Sequence, residues 1–138
     1  MFTMTVAGAE TFTIPDECIK SAKFLTVIPK DSDARTKDVE TSLIIQGDIR
    51  TTADGDSYDL TWQMALWSAV PSGRADCYRN VTLTNVRFGI VLREYTFPNA
   101  FVIEYSESFD GEVGTFTLII KQKKDKTEHV SVNGSFLK

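Results

Sequence analysis

Along most of this chain apolar and polar residues alternate singly, the two-residue period of a strand with one buried face. Phe2, Met4 and Val6 alternate with Thr3 and Thr5, and after a turn around Ala7–Glu10 the pattern resumes with Phe12 and Ile14 before Pro15. The run Cys18–Ile28 is long enough to cross a sheet, and Ser42–Arg50 reads as another strand. Tyr78–Gly89 and Val91–Phe97 predict a hairpin whose turn or bulge falls at Phe88-Gly-Ile90, and Pro98-Asn99 predicts a corner after it. Phe101–Ser108 and Thr115–Gln122 predict a second hairpin around Asp110–Gly114, with Phe116, Leu118 and Ile120 alternating against Thr115, Thr117 and Lys121. Val130–Leu137 supplies a last short strand.

One stretch changes period. From Tyr58 to Val70, Leu60, Met64 and Trp67 recur at i, i+4 and i+7, one face of a helix, and Ala65, Leu66 and Ala69 broaden its apolar surface. Asp56 or Ser57 suits its N-cap, and Pro71 with Gly73 ends it. The chain is therefore expected to be mainly β, a compact β-barrel of about eight or nine strands with one flanking α-helix. Closing the sheet is one way to remove the edges that so many short strands would expose.

Two segments break the pattern with charge. PKDSDARTKDVET, Pro29–Thr41, is a polar insertion long enough that an interaction role is favoured over a plain connection. Lys30, Asp31, Asp33, Arg35, Lys37, Asp38 and Glu40 are its candidate contact residues. The second is the basic run Lys121, Lys123, Lys124 and Lys126, a candidate surface for a lumen or an acidic partner, or else a polar strand end whose lysines protect an edge.

Composition narrows the function. A chain of 138 residues fits one domain, 1–138, and buries roughly two-thirds of its unfolded surface without help from metals or disulfides. The net charge of −4 is uneven: residues 1–70 carry 6 basic and 11 acidic side chains, and 71–138 carry 9 and 8. An acidic chain is a poor candidate for nonspecific nucleic-acid binding, and no aromatics are interleaved with the basic run to stack on bases. The asymmetry suits contact between copies of the chain. Cys18 and Cys77 read as reduced structural thiols. The N-terminus lacks the pattern of a secretory signal, and no segment has the roughly 20 apolar residues of a membrane span, so the expected location is the cytoplasm, or a particle assembled there, without membrane insertion.

Catalytic equipment is sparse. The single histidine, His129, lies in a charged segment with no local nucleophile, and too few His or Cys residues group together for a zinc site. Asp54-Gly-Asp56 lacks the spacing of a calcium loop and reads as a turn. Glu104, Glu107, Asp110 and Glu112 offer paired carboxylates, but at a strand and hairpin tip they read as a solvated edge or a subunit contact. No phosphate-binding glycine loop is present, and no cofactor is expected.

The succession DSDARTKDVETSLIIQGDI, a helix, ADCYRNVTL, YTFPNAFVIEYSESF and GTFTLIIKQKKDK resembles the tube-forming proteins of contractile phage-tail-like injection systems. These include the type VI secretion tube (haemolysin-coregulated protein-like) and phage tail-tube proteins. The resemblance spans roughly Asp31 onward. It implies a non-enzymatic subunit, a β-barrel flanked by one helix, that assembles with itself into hexameric rings stacked head to tail, with sheath or baseplate proteins as further partners. It also implies that the Lys30–Glu40 loop reaches a neighbouring copy through Arg35, Lys37 and Asp38. The C-terminal KQKKDKTEHVSVNGSFLK is longer than in the simplest such proteins. Two other readings stand beside this one: a ligand-binding barrel lined by Trp67, Phe97, Phe101 and Tyr105, and a hydrolase built on His129.

Overall fold

The computed structural model of the protein describes residues 1–27, 39–49, 61–111, 113–123, 126 and 129–137. Most of the Lys30–Glu40 loop, the Asp54–Asp56 turn, the cap candidates Asp56 and Ser57, and Lys124 lie outside the described residues.

Strands β1 (Phe2–Ala7), β2 (Thr11–Ile14), β3 (Ile19–Val27), β4 (Glu40–Ile49), β5 (Arg79–Arg87), β6 (Ile90–Asp110), β7 (Val113–Gln122), β8 (Ser131–Asn133) and β9 (Phe136–Leu137) form one nine-stranded sheet, with helix α1 (Trp62–Ser68) between β4 and β5. The hydrogen-bonded order is β2-β1-β5-β6-β7-β4-β3, and β8 and β9 pair with β6. Every pairing is antiparallel. The chain is mainly β with one helix, as the periodicity predicts.

The barrel is an open one. The hydrogen-bonded path ends at β2 and β3 and does not close among the described residues. The sheet nevertheless curls until β1 and β3 approach one another. Phe24 of β3 then stacks on Tyr95 of β6, ring centroids 4.9 Å apart, and meets Phe97 edge-on at 6.2 Å. Packing completes the circuit that hydrogen bonds leave open. One core fills the interior, with Met4, Ile14, Leu43, Ile45, Leu83, Phe97, Leu118 and Ile120 buried on the inner face. Most outward residues of β1, β2, β5 and β7 are the polar partners in the alternation, which is how a two-residue period selects one face.

The expected corner at Pro98-Asn99 is corrected. No corner forms there: β6 runs through both residues for its full 21. The register explains how. Arg79 pairs Ala100 and Val81 pairs Phe97, so Pro98 and Asn99 sit in a bulge where the missing Pro N–H leaves no ladder bond unmade. Asn99 is instead satisfied from β7: its N–H donates to Gln122 Oε1 at 3.2 Å and its carbonyl accepts from Lys123 N at 2.8 Å. This residue marks the change of partners. Before it β6 pairs β5 on one side and β8 and β9 on the other; beyond Ala100 it pairs β7.

The helix is shorter than the pattern suggests. It begins after Thr61, and its Thr61 N-cap makes no side-chain cap bond. Met64 and Trp67 are buried as their spacing predicts, and Trp67 Nε1 donates to the Cys77 carbonyl at 2.9 Å. That bond satisfies an indole N–H whose burial without a partner would cost about 1–3 kcal/mol. Cys18 and Cys77 are both buried and form no disulfide.

Candidate assembly surface

The polar insertion leaves the sheet at a defined place. Val27, the last residue of β3, pairs with Glu40, the first of β4, so the Lys30–Asp38 part of the loop belongs to the connection at this end of a hairpin. Glu40 is itself fixed: its Oε2 accepts from Lys121 Nζ at 2.9 Å across β4 and β7. Both side chains are about one-third exposed, so the pair holds geometry more than it adds stability. Two groups singled out separately in the sequence, the loop root and the basic run, thus meet in one ion pair.

The basic run is not an edge. Lys121 lies on β7, which is flanked by β4 and β6. Lys123 Nζ sits 5.0 Å from the centre of the Tyr78 ring, and Tyr78 packs edge-on against Phe101 at 5.9 Å. Lys126 is exposed, and its carbonyl accepts from Gln122 Nε2 at 3.0 Å. Lys121 and Lys123 therefore already have partners inside the subunit.

The aromatic residues of the ligand-barrel reading do not converge. Trp67 and Phe97 are packed into the core, Phe101 lies against Tyr78, and Tyr105 stacks on Phe116 while its hydroxyl donates to Glu107 Oε1 at 2.6 Å. Glu104, Glu107 and Asp110 are exposed along β6, and His129 is exposed near the C-terminus. Among the described residues no group of three His, Cys, Asp or Glu side chains is placed to hold a metal ion.

Among the described residues large apolar side chains are exposed at several places, three of them at turns or on the helix, where alternation alone does not reveal them. At the β5–β6 turn Phe88 is 89% exposed, with Met1 and Ile90 also exposed nearby. At the β6–β7 turn Phe109 and Val113 are 59% and 65% exposed. On the outer face of α1, Trp62 and Leu66 stand one turn apart and are about half exposed. The helical stripe hinted at the last of these. The spacing of Met64 and Trp67 locates the buried face, with Leu60 outside the described residues, whereas an outward Trp and Leu read as a broader version of it.

A buried cation is the other feature that sequence reasoning missed. Arg79, on β5, is only 9% exposed. Its Nη2 donates to Asp76 Oδ2 at 2.7 Å, its Nε to the Asp76 carbonyl at 3.1 Å, and its guanidinium lies 5.5 Å from the Trp67 ring centre. Asp76 also accepts from Ala9 N at 3.3 Å. The Arg79 hydrogen bond, aided by that of Ala9, holds the Asp76 carboxyl below its ordinary value. This cluster ties the β1–β2 turn, the β5 entry and the helix together, and the spacing Asp76-x-x-Arg79 was its only trace in the sequence.

No protein-family model matches the chain, and no curated protein matches it. Solved structures do. A chain of the anti-feeding prophage baseplate superposes with a TM-score of 0.55 at 13% identity, covering 96% of this chain and 92% of that one. Hcp1 from Flavobacterium johnsoniae gives 0.51 at 16% identity, covering 98% of both chains. A chain of the sheath-tube complex of an extracellular contractile injection system, PVC, gives 0.53 at 13% identity, covering 96% of this chain and 88% of that one. Over nearly its whole length, this chain has the fold of proteins found in contractile injection assemblies.

Proposed function

We propose that this protein is a non-enzymatic structural subunit of a phage-tail-like contractile apparatus, a single domain that assembles with itself into rings, hexameric by the family resemblance, which stack into a tube. The observation that carries this reading is the shared fold, which spans almost all of this chain and almost all of Hcp1 and of chains from baseplate and sheath-tube assemblies. A subunit with this fold finds further support in its surface. Large apolar side chains exposed at two hairpin tips and on the helix are available for contact with another copy. Lys30, Asp31, Asp33, Arg35, Lys37, Asp38 and Glu40 form the loop contact, and Lys124 with Lys126 is offered to a lumen or to a sheath or baseplate partner. Assembly takes place in the cytoplasm. Among the described residues no helix is long and apolar enough to cross a membrane.

Purified protein at high concentration is expected to show rings or tubes by negative-stain electron microscopy and ring masses by native mass spectrometry. A strictly monomeric protein across concentration and salt overturns the reading. A thermal-shift screen that finds a tight apolar ligand for such a monomer would establish the ligand-binding barrel in its place.

A further inference from the structure

Strand β6 carries unlike ends. At its start, the turn Phe88-Gly89 joins β5 to β6 between the paired residues Arg87 and Ile90. Both turn residues have positive φ, 54° at Phe88 and 75° at Gly89. Two-residue hairpins with positive φ at both positions favour Asn-Gly or Asp-Gly, because a bulky L-residue is strained in the left-handed region. Phe88 is therefore a misfit twice over: its backbone is in a conformation it disfavours, and its ring is almost wholly in water, touched by the Arg87 guanidinium at 5.2 Å. Nothing in the subunit's own packing compensates, and an outlier of this kind points to use outside the fold.

The far end of β6 answers it in charge and character. Phe109 is exposed but not loose, since its ring lies over Gly114, where an added Cβ would come within 2.6 Å of it. Around it stand Val113, Glu107 and Asp110, and no Lys or Arg occurs on β6 from Phe101 to Asp110 or on β7 from Val113 to Ile120. The opposite end has Arg87 and Arg93 with no acid between Asn85 and Arg93. One end is aromatic and basic; the other is aromatic and acidic.

We infer that these two ends are complementary halves of one heterologous contact, in which the Arg87–Phe88 tip of one copy docks on the Phe109–Asp110 tip of the next. The occupant is a second copy of this chain. Opposite charges steer and register the two tips, and the aromatic residues supply the desolvated centre. A contact between different patches on identical subunits leaves each copy with one free tip of each kind, so it propagates or closes into a ring. The inference rests on the assembly reading and adds a contact separate from the Lys30–Glu40 loop.

The test uses Phe88→Asn, Arg87→Glu and Asp110→Arg, with assembly followed by sedimentation velocity and folding by thermal melting. Phe88→Asn replaces the misfit by the residue the turn prefers, so its melting temperature is expected to stay level or rise while assembly weakens by about tenfold or more in concentration, the scale of losing a central anchor. Arg87→Glu and Asp110→Arg should each fail to assemble alone and assemble when mixed, because each then offers the tip the other lacks. Wild-type-like assembly of Phe88→Asn and Arg87→Glu overturns the tip contact while leaving the tube reading intact; so does failure of the mixture when both single variants are assembly-defective. Absence of assembly by the unsubstituted chain overturns both.

Discussion

At Gly47 the backbone of the sheet comes close against another segment. A Cβ built there would lie 1.8 Å from the Cys18 carbonyl oxygen, a backbone atom that cannot rotate away. Gly47→Ala is expected to lower stability by about 3 kcal/mol, the upper part of the range for overpacking, seen as a lower urea midpoint; a midpoint within error of wild type would contradict the close approach. Asp76 gives a prediction in pH. Its folded carboxyl titrates below the ordinary value of 3.8, so its contribution is present above that value and is lost as pH falls through the lower, folded one. Asp76→Asn removes this contribution and should flatten the acid limb of a stability-against-pH curve, while the neutral amide oxygen can still accept from Arg79. An acid limb as steep as wild type would show that other carboxylates dominate it. These two residues also show what sequence conceals. Gly47 sits mid-strand in an ordinary alternation, and Arg79 keeps the inward parity of Val81 and Leu83 although its charge reads as a strand end, because close approach and a buried partner are properties of other segments.

At the scale of elements, strand identity was legible and strand continuity was not. The two-residue period located β1, β2, β3, β4, β5 and β7 to within a residue or two, since one-sided burial imposes that period locally. Pro98 misled because proline normally ends a ladder, yet here the ladder changes partners at that point and needs no N–H from it. Gln122 makes that possible. It is buried, accepts from Asn99 N and donates to the Lys126 carbonyl. Gln122→Leu leaves both backbone groups short of a partner and is expected to cost about 1–3 kcal/mol, with faster hydrogen exchange at the Asn99 amide. Unchanged exchange at Asn99 would mean that the bulge is held by the strands themselves. The bulge at Pro98-Asn99 and the open edges at β2 and β3 share a cause: both depend on where distant segments meet, which no local period encodes. The exposed tips were half visible, Phe88-Gly89 as a turn and Asp110–Gly114 as an acidic one, but their common strand was hidden by the expected corner.

Across the whole molecule the question is which surface charges serve the fold and which serve contact between copies. Arg79 serves the fold, since it is buried and bonded to Asp76. Lys121 and Glu40 serve it weakly, as a partly solvated pair at the root of the polar insertion. Arg35 lies further along that insertion, in a run of alternating acids and bases whose length exceeds what a β3–β4 connection requires. If the insertion reaches a neighbouring copy, reversing this charge places like charges across the contact and leaves the subunit's own core untouched. Arg35→Glu should therefore change the melting temperature of the dissociated subunit little, since surface substitutions usually fall within about 0.5 kcal/mol. Assembly, read by sedimentation at matched protein concentration, should weaken markedly, because like-charge juxtaposition at an interface costs several kcal/mol. A variant that melts early and assembles poorly would place Arg35 in the fold. One that melts and assembles as wild type does would remove the insertion from the contact and leave the two ends of β6 to carry it.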